Sequence, residues 1–216
     1  MSIKKLVHTL FVIAGIGLSA SSQSAVLFSD NFDADHNASA LNFNSLINWN
    51  VSNGTIDYIR SGGYGISCVG GSGGCLDMDG STSDAGRITS KATFSLVSGV
   101  AYTLEAQVSG NQRSSTSTDD MSFGIIDVNT NALLVGGTIS RAGSAAFSLA
   151  ALGLVPGIAY DARLFFEGIG GDNVGVILDN VEFRDDTTNG NVPEPGALAL
   201  LGLGLAGLAA SRRRKQ

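Results

Sequence analysis

The chain has 216 residues, 13 basic and 19 acidic, for a formal net charge of −6. Lys4, Lys5, Glu194, Arg212, Arg213, Arg214 and Lys215 sit near the ends; without them Val26 to Val192 keeps seven basic and 18 acidic residues, a net charge near −11. A domain that acidic repels nucleic-acid phosphates and anionic headgroups, which excludes nucleic acid as a partner, and it attracts divalent cations.

Met1 to Lys5 is a short basic start, Leu6 to Leu18 is apolar, and the small residues of "SASSQSA" follow. That order is a secretory signal peptide over residues 1–25, with cleavage near Ser24 or Ala25, and it lies outside the fold. The remaining body suits one domain over residues 26–185, long enough to bury a core. Twenty-nine glycines against three prolines and little charge argue against helices.

"DADHN" sets Asp33, Asp35 and Asn37 at alternate positions, the opening spacing of a calcium loop. It departs from an EF-hand at Ala38 and Asn44, and a solvated acidic turn held by Asx hydrogen bonds is the competing reading. His36, the one histidine of the mature chain, lies in the same segment, so a Ser-His-Asp arrangement would have to be built around it. "WNV" and "TIDYI" are short strands; Trp49, Tyr58 and Tyr64 belong either to the core or to a sugar-stacking surface. Export makes Cys68 and Cys75 of "CVGGSGGC" a disulfide closing a Gly-rich loop, and too few further ligands remain for a zinc site.

"CLDMDGSTSDAGRITS" places Asp77 and Asp79 two apart, positions from which they could share a calcium or a sugar hydroxyl. "DGSTSD" equally reads as a turn whose amides are capped by Asp79 or Asp84. "ATFSLV" and "AYTLEAQV" are strands, the second with Tyr102, Leu104, Ala106 and Val108 on one face. "SGNQRSSTSTDD" is a long exposed loop. The strand "MSFGIIDV" then turns Met121, Phe123 and Ile125 inward, followed by "GGTIS" and "AAFSL". Ala145 to Leu154 makes a poor helix, because Gly153 and Pro156 close it, and "ALGLVPGIAYDARLFF" reads as a connection into a strand whose inner face is Tyr160, Ala162, Leu164 and Phe166.

In "NVGVILDNVEF" strict alternation places Asp179 on the face of Ile177, Val181 and Phe183. Three readings stand: the carboxylate is buried and bonded to backbone amides, it binds calcium, or a bulge turns it to solvent. A bare buried carboxylate would cost several kcal/mol. The strand set as a whole is all-β, an antiparallel sandwich or barrel. "RDDTTNGNVPEP" is charged, then Asn/Gly/Pro-rich, and reads as a linker over residues 186–192 leading into the apolar end. The apolar stretch Ala197 to Ala210 would span only about 21 Å as a helix against a hydrocarbon core of about 30 Å.

The end of the chain, "VPEPGALALLGLGLAGLAASRRRK", resembles the PEP-CTERM sorting signal: Pro193, Glu194 and Pro195, a short apolar helix, then the basic Arg212, Arg213 and Arg214. The resemblance implies recognition by an exosortase of a Gram-negative bacterium, a transient hold in the inner membrane through residues 193–216, and delivery to the cell surface or extracellular matrix. The basic residues at both ends favour the cytoplasm and independently put the body outside that membrane. The body resembles jelly-roll domains of the galactose-binding or carbohydrate-binding-module type in the order of "NWNVSNGTIDYI", "CLDMDGSTSDAGRITS", "FSLVSGVAYTLEAQVSGNQR" and "GGDNVGVILDNVEF". That resemblance implies an antiparallel β-sandwich, and a structural calcium held by Asp30 or Asp33 near the start and Asp179 near the end. The expected function is a non-enzymatic, exopolysaccharide-associated binding or scaffold module. The alternatives are an adhesive surface protein without sugar specificity and a carboxylate-based glycoside hydrolase using residues such as Asp77 and Asp79; no ligand-binding residue is assigned.

Overall fold

The computed structural model describes residues 24–114 and 116–186. The expected signal peptide, apart from its last two residues, and the sorting signal with Pro193, Glu194, Pro195 and Arg212 to Arg214 lie outside the described residues. Twelve strands make two six-stranded antiparallel sheets. The first contains β1 (Ala25–Asp30), β3 (Asp57–Arg60), β4 (Gly74–Asp77), β7 (Tyr102–Ser109), β10 (Ser148–Leu154) and β12 (Ile177–Asp185), in the order β10-β7-β12-β4-β3 with β1 also on β12. The second contains β2 (Trp49–Ser52), β5 (Arg87–Ser90), β6 (Phe94–Leu96), β8 (Thr118–Asp127), β9 (Leu133–Ala142) and β11 (Tyr160–Ile169), in the order β2-β5-β11-β8-β9 with β6 also on β11. The all-β sandwich expected from strand alternation is the fold. Among the described residues, no helix is long and apolar enough to cross a membrane.

Side chains alternate across each strand, so one face of each sheet supplies the core. Leu104, Ala106 and Val108 of β7, and Leu178, Val181 and Phe183 of β12, meet Met121, Phe123 and Ile125 of β8 and Leu164 and Phe166 of β11 in one buried cluster. Trp49 is fully buried there, edge-on to Phe28 at 5.4 Å and to Phe166 at 5.8 Å. Its indole N–H donates to Asp30 Oδ2 at 2.8 Å, so the lone tryptophan is core with a satisfied polar end.

Three sequence readings are corrected. Residues 148–154 are a full strand rather than a connection: Ala150, Leu152 and Leu154 face inward, and the strand pairs residue by residue with β7 from Ser148 against Val108 to Leu154 against Tyr102. The segment from Ser109 to Asp120 is not a wholly exposed loop. Ser109 and Asn111 are fully buried, and Thr118 already opens β8. Asn111 fixes this segment, donating to Asp119 Oδ2 at 2.7 Å while its own oxygen accepts the Arg113 and Ser114 amides.

The third correction concerns β12. A register shift between Asp179 and Glu182, with Asn180 at φ 46°, inserts a bulge. The bulge changes the phase, so Leu178, Val181 and Phe183 face the core while Ile177 and Asp179 face out. That outer face is nevertheless covered. Ile177 packs under Ile59, Ile66, Cys68 and Cys75 in a second buried cluster, with Phe147 against it.

Candidate functional site

The cover over the outer face of the first sheet is the segment between β3 and β4. Cys68 and Cys75 are disulfide-bonded and seven positions apart. Val69 to Gly71 forms a 3-10 turn, and the Val69 amide donates to Asp179 Oδ2 at 2.9 Å. Asp179 Oδ1 accepts the Asn180 amide at 2.7 Å. Burial pushes the Asp179 carboxyl up to about 6 against those two amides, and Asp33 and Asp30 push it in the same direction. Asp179 is therefore buried and amide-bonded beside a bulge, combining two of the readings open at the sequence level and excluding the solvent-facing one.

Asp30, Asp33 and Asp179, the residues expected to share a calcium, do not converge as a group of ligand atoms within 4.8 Å of one another. Asp30 accepts the Phe32 amide on one oxygen and the Asn48 and Trp49 side chains on the other. Asp33 accepts the Gly74 amide at 2.7 Å and the Asn31 side chain at 2.9 Å. These contacts tie the three carboxylates to different parts of the chain, and their oxygens are not gathered into one group. Among the described residues, the one group of three potential ligands whose atoms lie mutually within 4.8 Å is Cys68, Cys75 and Asp179, and both sulfurs are in the disulfide. The physical reason is the bulge, which turns Asp179 under the Cys68–Cys75 loop. The "DADHN" segment is a turn: Asp33 also crowds against Gly73, where φ is +77° and a Cβ would stand 1.8 Å from Asp33 Oδ1. Asp35 accepts the Ile47 amide.

Asp77 and Asp79 are 0% and 1% exposed. Asp77 accepts the Asp79 and Gly175 amides on one oxygen, and its other oxygen pairs with Arg113. Burial pushes its carboxyl up to about 7 in spite of that guanidinium. Asp79 accepts the Asp172 amide, and burial raises it too. The "DGSTSD" segment is indeed a turn, but its cap comes from elsewhere. Asp57 accepts the Ser81 amide and hydroxyl together with the Asn42 amide. Nothing local in the sequence points to Asp57, because Ser81 lies 24 positions away.

The outer face of the second sheet has no such cover. Two hollows of about 440 and 530 Å³ lie on it and share Arg87, Ile126 and Asn131. One extends past Phe165, Glu167, Ser122 and Thr138, the other past Asn50, Ser52, Thr89 and Arg163. Alternation makes this surface. With Ala162, Leu164 and Phe166 of β11 turned to the core, Arg163, Phe165 and Glu167 point out, and β5 likewise presents Arg87 and Thr89. Gly124 of β8, paired with Phe165 and opposite Gly136 of β9, keeps the floor low. A Cβ on it would stand 2.3 Å from the Val135 carbonyl and 3.0 Å from the Phe165 ring.

Two arginines of this face behave differently. The Arg87 guanidinium lies 4.0 Å over the Phe165 ring and pairs with Glu167 at 3.0 Å, while Asn53 donates to the other Glu167 oxygen at 3.1 Å. Among the described residues Arg163 has no such partner, and its buried Nε–H meets no acceptor. The arrangement offers hydrogen-bond donors and acceptors in a row, apolar Ile126 among them, and one uncommitted cation. It holds no pair of free carboxylates placed for acid/base chemistry on a glycosidic bond. Sequence reasoning assigned no ligand residue. The available signal was Phe165, an aromatic in the outward register of a strand whose inward register was clear. Tyr64, at 53% exposure, lies in the disulfide-bearing segment rather than here.

No curated protein matches the chain in sequence. Among solved structures, the N-terminal CBM22-1-CBM22-2 tandem domain of Paenibacillus barcinonensis Xyn10C aligns at 13% identity and TM-score 0.50, over 82% of this chain and 50% of that one. The CBM22-1 xylan-binding domain of the same Xyn10C aligns at 13% and 0.48, over 78% of this chain and 99% of that one. The CBM22-1-GH10 modules of Clostridium thermocellum Xyn10B, complexed with xylohexaose, align at 16% and 0.49 over 79% of this chain. The chain spans 30% of that xylanase structure. These likenesses concern the fold. Residues 191–215 match the PEP-CTERM protein-sorting motif, which contains Pro193, Glu194, Pro195 and Arg212 to Arg214. The chain thus joins a β-sandwich, similar in fold to the tandem domain of Xyn10C, to a PEP-CTERM sorting motif.

Proposed function

We propose that this protein is an exported, non-enzymatic carbohydrate-binding module that holds polysaccharide along the open outer face of the second sheet. The observation that carries the reading is the contrast in cover. The outer face of the first sheet carries its own disulfide-closed cap, whereas the second leaves a hollow lined by Asn50, Thr89, Arg163, Ser122 and Thr138. Side-chain amides and hydroxyls set among Ile126, Leu133 and Phe165 suit a sugar, whose hydroxyls each gain about 1 kcal/mol from a good hydrogen bond and whose ring face meets the apolar groups. A hydrolase built on Asp77 and Asp79 is disfavoured, because both carboxylates are buried away from the open face and Asp77 is paired with Arg113.

The sorting motif supports processing by an exosortase near Pro193-Glu194-Pro195, and with it a Gram-negative cell surface or extracellular matrix as the place of action. The transient membrane hold through residues 197–210 belongs to the same reading. Electrophoresis of the full-length chain through gels containing neutral and acidic polysaccharides tests the binding. At least one polymer retards it, and Asn50→Ala with Thr89→Ala relieves the retardation about tenfold or more. Migration unaffected by every polymer, or retardation that the double variant leaves intact, overturns the assignment of this face.

A further inference from the structure

We infer that the groove selects an acidic polysaccharide, with Arg163 reading the carboxylate of a uronate-type sugar. The inference rests on the carbohydrate-binding reading above and adds the charge class of the ligand. Seven arginines and lysines lie among the described residues, and six are committed. Arg60 donates to the Asp33 carbonyl, Lys91 to the Leu46 and Ile47 carbonyls and Arg141 to the Val108 carbonyl; Arg87, Arg113 and Arg184 pair with Glu167, Asp77 and Glu105. The side chain of Arg163 alone of these has neither a hydrogen bond nor an ion pair among the described residues. In a domain with 18 acidic residues to seven basic ones, leaving one arginine without a carboxylate is a local reversal of the prevailing charge balance.

The acids of its own strand are engaged elsewhere. Glu167 takes Arg87 and Asn53, and Asp161 takes the Ser95 hydroxyl at 2.9 Å. The charged residues lining the two hollows are Arg87, Arg163 and Glu167; the Arg87–Glu167 pair cancels, so the groove carries one uncompensated positive charge. A guanidinium presents a planar fork of N–H donors that fits a carboxylate with two parallel bonds, and such charge-assisted bonds exceed neutral ones in strength. Asn50, Ser52 and Thr89 beside it supply partners for ring hydroxyls, and Ile126 and Val128 an apolar contact for a ring face. The buried Nε–H without an acceptor among the described residues marks a guanidinium that the protein itself leaves unsatisfied. Long-range repulsion from the rest of the domain opposes any polyanion, so indiscriminate attraction does not reproduce this preference.

The test measures affinity of the full-length chain at physiological salt for alginate and polygalacturonate, each beside its carboxyl-reduced neutral form, and for neutral xylan and glucan. The expected result is that at least one uronate polymer binds about tenfold or more tighter than its reduced form, and that Arg163→Gln abolishes the difference. Arg163→Lys keeps part of the preference, Arg141→Gln keeps all of it, and unchanged melting temperatures confirm folding of each variant. Equal binding of acidic and reduced polymers, or a preference that survives Arg163→Gln, overturns the proposal while the carbohydrate-binding reading stands. Binding to no polymer of either kind overturns both.

Discussion

The two outer faces of the sandwich start from the same alternation and end differently. On the first sheet the chain folds back over itself: the segment between β3 and β4, closed by Cys68–Cys75, lies on Ile59 and Ile177, and toward the other end of β12 Arg184 gathers Glu105, Glu182 and Asp186. On the second sheet short turns leave the outward residues of β2, β5, β11, β8 and β9 uncovered, and Arg163 is left without a partner. Covering one face turns it into a second small core. An uncovered face keeps its polar groups available, and that asymmetry is what assigns function to one sheet rather than the other.

Removing the packing under the cover should produce the largest change. Ile177 is fully buried on an outer face, so Ile177→Ala should cost about 2–5 kcal/mol, as for any core aliphatic. For a domain of this size that lowers the melting temperature by roughly 5–15 °C, readable by calorimetry or circular dichroism. A shift under about 2 °C would mean that the face behaves as an ordinary surface. Next comes the closure itself. Replacing Cys68 and Cys75 with serine reopens a loop of seven-position separation and should cost about 2.5 kcal/mol through the unfolded chain. Groove binding should be unchanged in that variant, since Cys68 and Cys75 line neither hollow.

A gentler perturbation of the covered side is pH. Burial raises Asp179 from 3.8 to about 6 and Asp77 from 3.8 to about 7. Between 3.8 and those values the folded protein keeps a proton that the unfolded chain has lost, so stability falls as pH rises through the window and levels off above it. One such group contributes at most about 1.4 kcal/mol per pH unit. Thermal melts from pH 4 to 8 should therefore decline, for these groups, toward pH 6 and then pH 7. Asp179→Asn should flatten the first part of that decline; a variant curve parallel to wild type across pH 4–6 would remove Asp179 as its source.

The same contrast explains how much of the molecule could be read from sequence. Period-two alternation in "AYTLEAQV", "MSFGIIDV" and "AYDARLFFEG" gave β7, β8 and β11 with the correct inward residues, because both faces of each strand differ sharply in polarity. β10 was split between a strand and a connection because Ala151 and Gly153 blur its alternation. The bulge at Asn180 was one of three readings for Asp179, and choosing among them required knowing that the Val69 amide, 110 positions away, arrives at Asp179. Asp57 carries no local signal for the same reason, its partners Ser81 and Asn42 lying 24 and 15 positions away. The groove drew no residue in advance, since an outward Arg163 has the same pattern as any solvent-facing strand residue. Its distinction is what fails to approach it.

The smallest expected effect completes the comparison. Thr89 and Asn50 face the hollow from paired positions of β5 and β2, and among the described residues no side-chain hydrogen bond ties either one to a neighbour. Truncating them to alanine removes polar atoms that already meet solvent, so stability should change by less than about 0.5 kcal/mol, the usual range for surface substitutions. That is below the cost of Ile177→Ala by a factor of several, although both residues point away from the main core. Small stability loss combined with lost polysaccharide binding is the signature of a surface kept open for a ligand. A loss of stability as large as that of Ile177→Ala would instead place Thr89 and Asn50 among the groups that hold the sheet together, and the distinction between the two faces would collapse.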